Sequence, residues 1–315
     1  MISSMRIVFM GTPEFALPSL QILLRHNLSI VAVVTAPDRP QGRGRRISFS
    51  PIKEFALRKH LPVLQPEHLK DPSFVTMLSS LQPDLIVVVA FRILPKEVFE
   101  IPRLGSFNLH ASLLPKYRGA APINWAIING EQETGVTTFF LKERVDTGSI
   151  ILQARVRIGP DETAGELHDK LSEVGAEIVL QTIRLIELGK VRTRMQDDSL
   201  ASSAPKIFKE DCRIDWHKNS QQVHDFVRGL SPQPCAWTLH RGKLLRFFRT
   251  KQISWDIHRD LRPGAIADAE EGGLLVQTGK GLLSILELQQ EGHKPMDVAE
   301  FLRGYRLGVG DELGE

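Results

Sequence analysis

The amino-acid sequence predicts an α/β domain built on a mostly parallel sheet, followed by a smaller OB-like β-barrel domain. Three observations predict it. Short apolar runs alternate with helix-like segments through the first half, and short strands divided by glycines replace that pattern near the carboxyl terminus. The length, 315 residues, exceeds one average core and suits two.

Residues 6–10, 30–35, 84–90 and 106–110 read as buried strands, because each is a short and nearly continuous apolar run. Between them, residues 13–26, 52–60 and 73–81 have apolar positions at helical spacing. That order gives a parallel, Rossmann-like sheet with helices on both faces, whose ligands bind beyond the carboxyl ends of the strands. After Gly135, residues 136–141 and 150–158 read as a hairpin-type addition around the turn Val145-Asp146-Thr147-Gly148. Leu167, Leu171, Val174, Ile178, Thr182 and Leu185 then recur every three or four residues, a long helix that Gly189 stops. Residues 190–208 are polar and rich in breakers, which sets the expected domains as 1–189 and 209–315 with a linker at 190–208. In the second domain a helix at 220–229 precedes strand candidates at 236–240, 243–253, 264–268, 273–278 and 282–288. Five strands with tight glycine turns suit a small closed or partly open barrel, and 296–305 reads as a last helix.

Apolar content of 42% and charged content of 24% match an ordinary globular protein. No apolar run approaches the roughly 20 residues that span a bilayer. The amino terminus carries no export pattern, so the expected location is cytoplasmic with no membrane partner. Cys212 and Cys235 lie far apart with no metal-ligand spacing around them, and read as reduced packing residues. The formal net charge of +3 is too small to demonstrate a polyanionic partner. Its distribution is uneven: residues 206–262 hold twelve basic against six acidic side chains, and 263–315 four against ten. These counts fit a basic face on the second domain, and equally a mixed solvated surface.

The first strand runs into Gly11-Thr12-Pro13-Glu14-Phe15, where a dinucleotide-binding turn would need three glycines and only Gly11 is in place. A dehydrogenase is therefore a weak reading. Asn108 and His110 lie two apart on a predicted strand, so both face one side while Leu109 packs on the other. A carboxamide beside an imidazole can hold a developing oxyanion. An isolated Asn-x-His is more often a hydrogen-bonded core pair, so the neighbours must decide. Asp146 sits in a turn between two apolar strands, where it is ordinary turn chemistry unless it lies beside His110. There it would orient the imidazole and complete an acid/base pair, and the three residues together have the roles acyl transfer needs.

With the segment from Phe107 to Pro122, its Ser112-Leu113-Leu114-Pro115 core, and Val145-Asp146-Thr147-Gly148, the chain resembles the folate-dependent formyltransferases. The resemblance implies a formyltransferase-type parallel sheet, a catalytic triad of Asn108, His110 and Asp146, and a tetrahydrofolate site that includes Ser112, Leu113, Leu114 and Pro115. It implies 10-formyltetrahydrofolate as co-substrate, without a metal. Gly11 to Phe15, the basic stretch Ala36 to Arg46, Ile214-Asp215-Trp216, Arg228 to Pro232 and Pro295 to Gly304 resemble the members that formylate methionyl-initiator tRNA, with an OB-like tRNA-binding second domain. The likeness runs from about Met5 to about Gly310. One departure stands out. Where the family pattern has Ala-Tyr-Gly and one further residue before Ile-Leu-Pro, this chain reads Ala90-Phe91-Arg92-Ile93-Leu94-Pro95, one residue shorter, in the stretch resembling the loop over the pterin ring.

Arg39, Arg43, Arg45 and Arg46 fall within eight positions, interrupted by Gly42 and Gly44, with no acid among them. Forked guanidinium donors on a glycine-rich loop suit a phosphate backbone, and the loop begins just past a strand's carboxyl end. Ile47 and Phe49 beside it suit either stacking on an RNA end or anchoring to the core. Two alternatives remain at this point: a formyltransferase acting on an amino sugar nucleotide or other small amine, and a non-catalytic RNA-binding protein.

Overall fold

The computed structural model describes residues 5–41, 46–253, 261–269 and 273–314. It divides into two compact units, one of Met1–Gly119, Gly135–Val156 and His168–Ser203, the other of Ala120–Thr134, Arg157–Leu167 and Ala204–Glu315. No helix among the described residues is long and apolar enough to cross a membrane.

The strands up to residue 204 are β1 (Arg6–Gly11), β2 (Ser29–Val34), β3 (Arg39–Gln41), β4 (Arg46–Ser48), β5 (Val63–Leu64), β6 (Leu85–Val89), β7 (Ser106–His110), β8 (Arg118–Gly119), β9 (Glu133–Phe140), β10 (Ile150–Arg157) and β11 (Ser203–Ala204). The helices are α1 (Leu17–Arg25), α2 (Pro51–Arg58), α3 (Pro72–Ser80), α4 (Lys96–Phe99), α5 (Pro122–Ile128) and α6 (Ala164–Glu187). Seven strands form one sheet in the order β10-β9-β7-β6-β1-β2-β5. β1 pairs in parallel with both β2 and β6, and β7 follows in parallel beside β6. The winding therefore leaves β1 in opposite directions, which puts the switch point, and the expected ligand crevice, beyond the carboxyl ends of β1, β6 and β7. β9 turns antiparallel against β7, and β10 lies beside β9 at the edge of the sheet, where the hairpin-type addition after Gly135 is expected.

Burial explains the strand compositions. All five residues of β6 are buried, as a central parallel strand covered on both faces requires. Val8, Met10, Ile86 and Val88 pack with Phe74, Leu78, Val98 and Phe99 of α3 and α4 on one face. Leu109 faces the opposite side, where Gly175 of α6 brings its backbone so close that a Cβ would lie 2.6 Å from Leu109 Cδ2. The stretch 190–208, read as a linker, is hydrogen-bonded to the first unit as far as Ser202: Arg194 bridges Ile150, and Arg118 N donates to Ser202 O at 2.8 Å.

The second unit carries α7 (Ser220–Leu230), β12 (Ala236–His240), β13 (Lys243–Ile253), β14 (Ile266–Asp268), β15 (Leu274–Gln277), β16 (Leu282–Gln290), β17 (Met296–Asp297) and α8 (Val298–Gly304). Its sheet runs β12-β13-β16-β15-β14 with β17 on β16, antiparallel at every described pairing. The result is a partly open, OB-like half-barrel. The tail strengthens its two edges: Ile266 N donates to Asp311 O and Leu313 N to Gly264 O at the β14 side, and Gly314 N to Leu239 O in β12. α7 starts with a capping box between Asn219 and Gln222 and buries Val223, Val227 and Leu230 in the core with Phe247, Ile285 and Leu288.

Residues 120–134 and 157–167, which sequence reasoning puts with the first domain, group with the second unit. α5 lies against α7, where Asn124 Nδ2 donates to Gly229 O at 2.8 Å and a Cβ on Gly229 would meet Ile128 Cγ1 at 2.7 Å. Arg228 forms a buried ion pair with Asp225 and donates to Gly159 O and Glu162 O. Apart from Asp225, these partners lie 66 to 105 positions apart, beyond the reach of local periodicity.

Glu166 accepts from Arg249 at 2.6 Å and from Thr163 N at 2.8 Å. The Arg249 guanidinium first, and the Thr163 amide next, hold its carboxyl down at about 2 against the usual 4.5. A folded value below the unfolded one means this stabilisation is present above about pH 4.5 and is lost as pH falls toward 2. Both side chains are 46% exposed, so water screens the pair and Glu166→Gln is expected to cost only about 0.2–1 kcal/mol at pH 7. Urea unfolding at pH 7 and pH 2.5 tests it: the difference between the two proteins should shrink at the lower pH, and a pH-independent difference would contradict the assignment.

Candidate active site

β7 places Asn108 and His110 on one face at the carboxyl end of the sheet, with Asn108 level with Val88 of β6. Asn108 is half-buried, and among the described residues its carboxamide makes no hydrogen bond to protein. His110 is buried, and its Nε2 lies 2.8 Å from Tyr117 O. A carbonyl can only accept, so Nε2 carries the proton of that bond and Nδ1 is the ring atom left for exchange. Nδ1 faces Asp146 Oδ2 across 3.8 Å, with the two side chains only 7% and 10% exposed. That gap is too long for a direct hydrogen bond.

Asp146 is held at both ends. Its Oδ2 accepts from Gly119 N at 3.0 Å. Its backbone is in the left-handed region, φ 54°, and its carbonyl accepts from Gln196 Nε2 at 2.8 Å. The same Nε2 donates to Gly148 O at 2.8 Å. Arg118 grips the other end of the Gln196 amide, donating to Oε1 from Nε at 3.1 Å and Nη2 at 2.7 Å, and also pairs with Asp198. Tyr117, Arg118 and Gly119 lie inside the segment Phe107 to Pro122 without a role of their own being read there, and Gln196 carries no local pattern at all; the fold brings them together at the site.

Ser112, Leu113, Leu114 and Pro115 follow directly on His110. Ser112 is buried with its Oγ donating to Lys116 O at 2.6 Å, while its carbonyl accepts from Thr137 Oγ1 at 2.6 Å. Leu114 N donates to Thr137 Oγ1 at 3.1 Å and Leu114 O accepts from Gln153 Nε2 at 2.9 Å. Leu114 is buried against Phe139 and Ile150, leaving Leu113 and Pro115 as the half-buried side chains of the segment. The shortened stretch 90–95 begins with Ala90 at φ 47° and is tied down by Arg92, which donates to Glu67 O at 2.9 Å and Pro66 O at 2.7 Å.

Two pieces of the arginine stretch pair as a ribbon, β3 antiparallel with β4, Arg39 opposite Ser48 and Gln41 opposite Arg46. Arg39 is exposed, and Arg43 and Arg45 lie outside the described residues. At its foot Asp38 pairs with Lys53 and accepts from Gln65 Nε2 at 2.9 Å, and Lys53 first, then Gln65, holds the Asp38 carboxyl below its usual range. Lys53 Nζ also sits 4.1 Å over the Phe49 ring, so both feet of the ribbon meet at one side chain. Among the described residues no group of three or more His, Cys, Asp or Glu is gathered to hold a metal ion.

Comparison with known proteins shows the family. A family model described as "Formyl transferase" matches residues 5–183, and one described as "Formyl transferase, C-terminal domain" matches 206–306. The methionyl-tRNA formyltransferase of Chlorobium phaeovibrioides (strain DSM 265 / 1930) is 49% identical over 318 residues, covering 99% of each chain. That of Syntrophus aciditrophicus (strain SB) is 47% identical over 309 residues, covering 98% of each. Among solved structures, the N-formyltransferase from Helicobacter canadensis in complex with folinic acid and dTDP-3-aminofucose shares the fold at a TM-score of 0.66 and 20% identity, over 91% of this chain and 99% of that one. Matched over nearly its whole length by such relatives, the chain belongs to the formyl transferase family, in its methionyl-tRNA formyltransferase branch.

Proposed function

We propose that the protein transfers the formyl group of 10-formyltetrahydrofolate to the amino group of methionyl-initiator tRNA, giving N-formylmethionyl-tRNA for translation initiation. The observation that carries the reading is the Asn108, His110 and Asp146 arrangement at the end of β7, with Nδ1 of His110 facing the carboxylate at 3.8 Å. The amine attacks the formyl carbon. Asn108 and His110 hold the carbonyl oxygen as charge develops on it, Asp146 orients the imidazole and helps take the amine proton, and tetrahydrofolate leaves. The donor is already activated, so the step needs no metal. Ser112–Pro115 form part of the folate site through Leu113 and Pro115, the side chains of that segment that stay half-buried. In this reading the reaction is cytoplasmic and calls on no membrane and no obligatory protein partner.

The arginines at 39–46 and the OB-like unit, which we take to begin near residue 209 after the connecting stretch 190–208, hold the tRNA. Replacing Arg39, Arg43, Arg45 and Arg46 with alanine is expected to raise the KM for tRNA while leaving folate binding unchanged. Each guanidinium–phosphate pair removed should flatten the salt dependence of binding by somewhat under one unit of slope. The deciding assay offers 10-formyltetrahydrofolate with charged initiator tRNA and, separately, with an amino sugar nucleotide. Formylmethionine on the tRNA supports the reading. A product on the sugar alone would assign the protein to the small-amine enzymes, and no product on either would favour an RNA-binding role.

A further inference from the structure

Gln196 lies in the polar stretch after α6, fifty positions from Asp146, in no predicted element and with no catalytic chemistry of its own. We infer that Gln196 is a positioning residue for the reaction: it holds the turn that presents Asp146 to His110, and Arg118 sets its direction. The inference rests on the reading of Asp146 as catalytic given above.

The geometry carries it in three steps. Arg118 has only donors, so the side-chain oxygen of Gln196 must face it, and the two bonds at 3.1 and 2.7 Å fix the amide plane as a fork. The amide nitrogen is thereby turned toward the hairpin, where its two hydrogens match two carbonyl acceptors, Asp146 O and Gly148 O, both at 2.8 Å. Lastly, Asp146 holds φ 54°, a backbone conformation that an L residue with a side chain keeps only where its surroundings impose it. Gln196 grips the carbonyls on either side of Thr147, so it restrains the segment on which that conformation depends. Arg118 is itself fixed by Asp198 at 2.7 Å, and its neighbour Gly119 donates to the Asp146 carboxylate at 3.0 Å. One short strand, β8, therefore controls both the backbone of Asp146, through Gln196, and its carboxylate directly.

The consequence is specific to turnover. Without the grip the carboxylate drifts from the His110 Nδ1 atom, and misplacement of about 1 Å costs as much as a hundredfold in rate even when substrates still bind. Gln196→Met keeps the volume and removes both donors. It is expected to lower kcat about 10- to 100-fold with the KM for folate and for tRNA within about twofold of the unsubstituted protein. Gln196→Glu keeps an acceptor for Arg118 but sets oxygen against the two carbonyls, so it should lose as much kcat as the Met variant; it serves should Gln196→Met fail to fold. In an Asp146→Asn background, adding Gln196→Met should cost nothing further, because the group being positioned is already disabled. A normal kcat for both Gln196 variants beside a disabled Asp146→Asn overturns the positioning role alone. Equal losses in kcat with raised KM for both substrates make Gln196 a general structural residue and overturn it as well. Normal turnover in Asp146→Asn overturns the catalytic reading on which the inference stands.

Discussion

Asn108→Ala is expected to lower turnover at least about a hundredfold while leaving the fold and Tm nearly unchanged. Losing one preorganised donor to a developing oxyanion costs that much in acyl-transfer sites, and a general acid or base contributes similarly. Asn108 is the informative member of the three, because its carboxamide is half-buried and makes no hydrogen bond to protein among the described residues. Its truncation therefore removes little that stabilises the fold. His110→Ala and Asp146→Ala should lose as much turnover, but each also removes a hydrogen bond. The His110 ring donates to Tyr117 O, and the Asp146 carboxylate accepts from Gly119 N. The bond lost with His110 is buried and should lower Tm, by about 0.5–1.5 kcal/mol in stability, whereas Gly119 is exposed and its amide turns to water in Asp146→Ala. Single-turnover formylation alongside folate binding and thermal unfolding separates the effects. Near-normal turnover in the alanine variant at 108, with folate bound normally, would remove Asn108 from the mechanism.

Much of this site is legible in the sequence because it obeys the period of a strand. Residues 106–110 alternate as expected, Asn108 and His110 on the site face and Leu109 against Gly175 of α6 on the other. The hairpin at Val145-Asp146-Thr147-Gly148 is legible for a similar reason: turn chemistry sits between two apolar runs. The rest depends on pairings that no local pattern encodes. Gln196 lies where polar composition suggests only a connection, yet its four hydrogen bonds organise the turn of Asp146. The arginine-bearing segment reads as a loop by composition, while Arg39 to Gln41 and Arg46 to Ser48 pair as a ribbon whose foot is Asp38 on Lys53. Helix α5 escapes notice because Pro122 to Ile128 is short, and its place is set by Gly229 about a hundred residues later.

Gly148→Ala is expected to damage both stability and catalysis, and its two effects should appear together. The position is not a matter of backbone conformation, since its φ is not in the left-handed region; it is a matter of room. A Cβ there would lie 1.6 Å from Phe140 O, 2.8 Å from Phe140 C and 3.0 Å from Phe139 Cδ2. Two of those atoms belong to the backbone of β9, so no rotamer change can relieve the contact and the turn itself must move. Overpacking of that kind costs about 1–3 kcal/mol, and a backbone clash belongs at the upper end. The displaced turn carries Asp146 two residues upstream and takes Gly148 O away from Gln196, so turnover should fall about tenfold or more. Gly189→Ala provides the contrast: nothing lies within 4 Å of its Cβ, and only its φ of +62° opposes the substitution. It should cost about 1–2 kcal/mol through backbone strain and leave kcat unchanged. Were both variants to lose stability alike with kcat intact, the close approach of Gly148 to β9 would have no part in presenting Asp146, and the turn would be held by Gln196 and Gly119 alone.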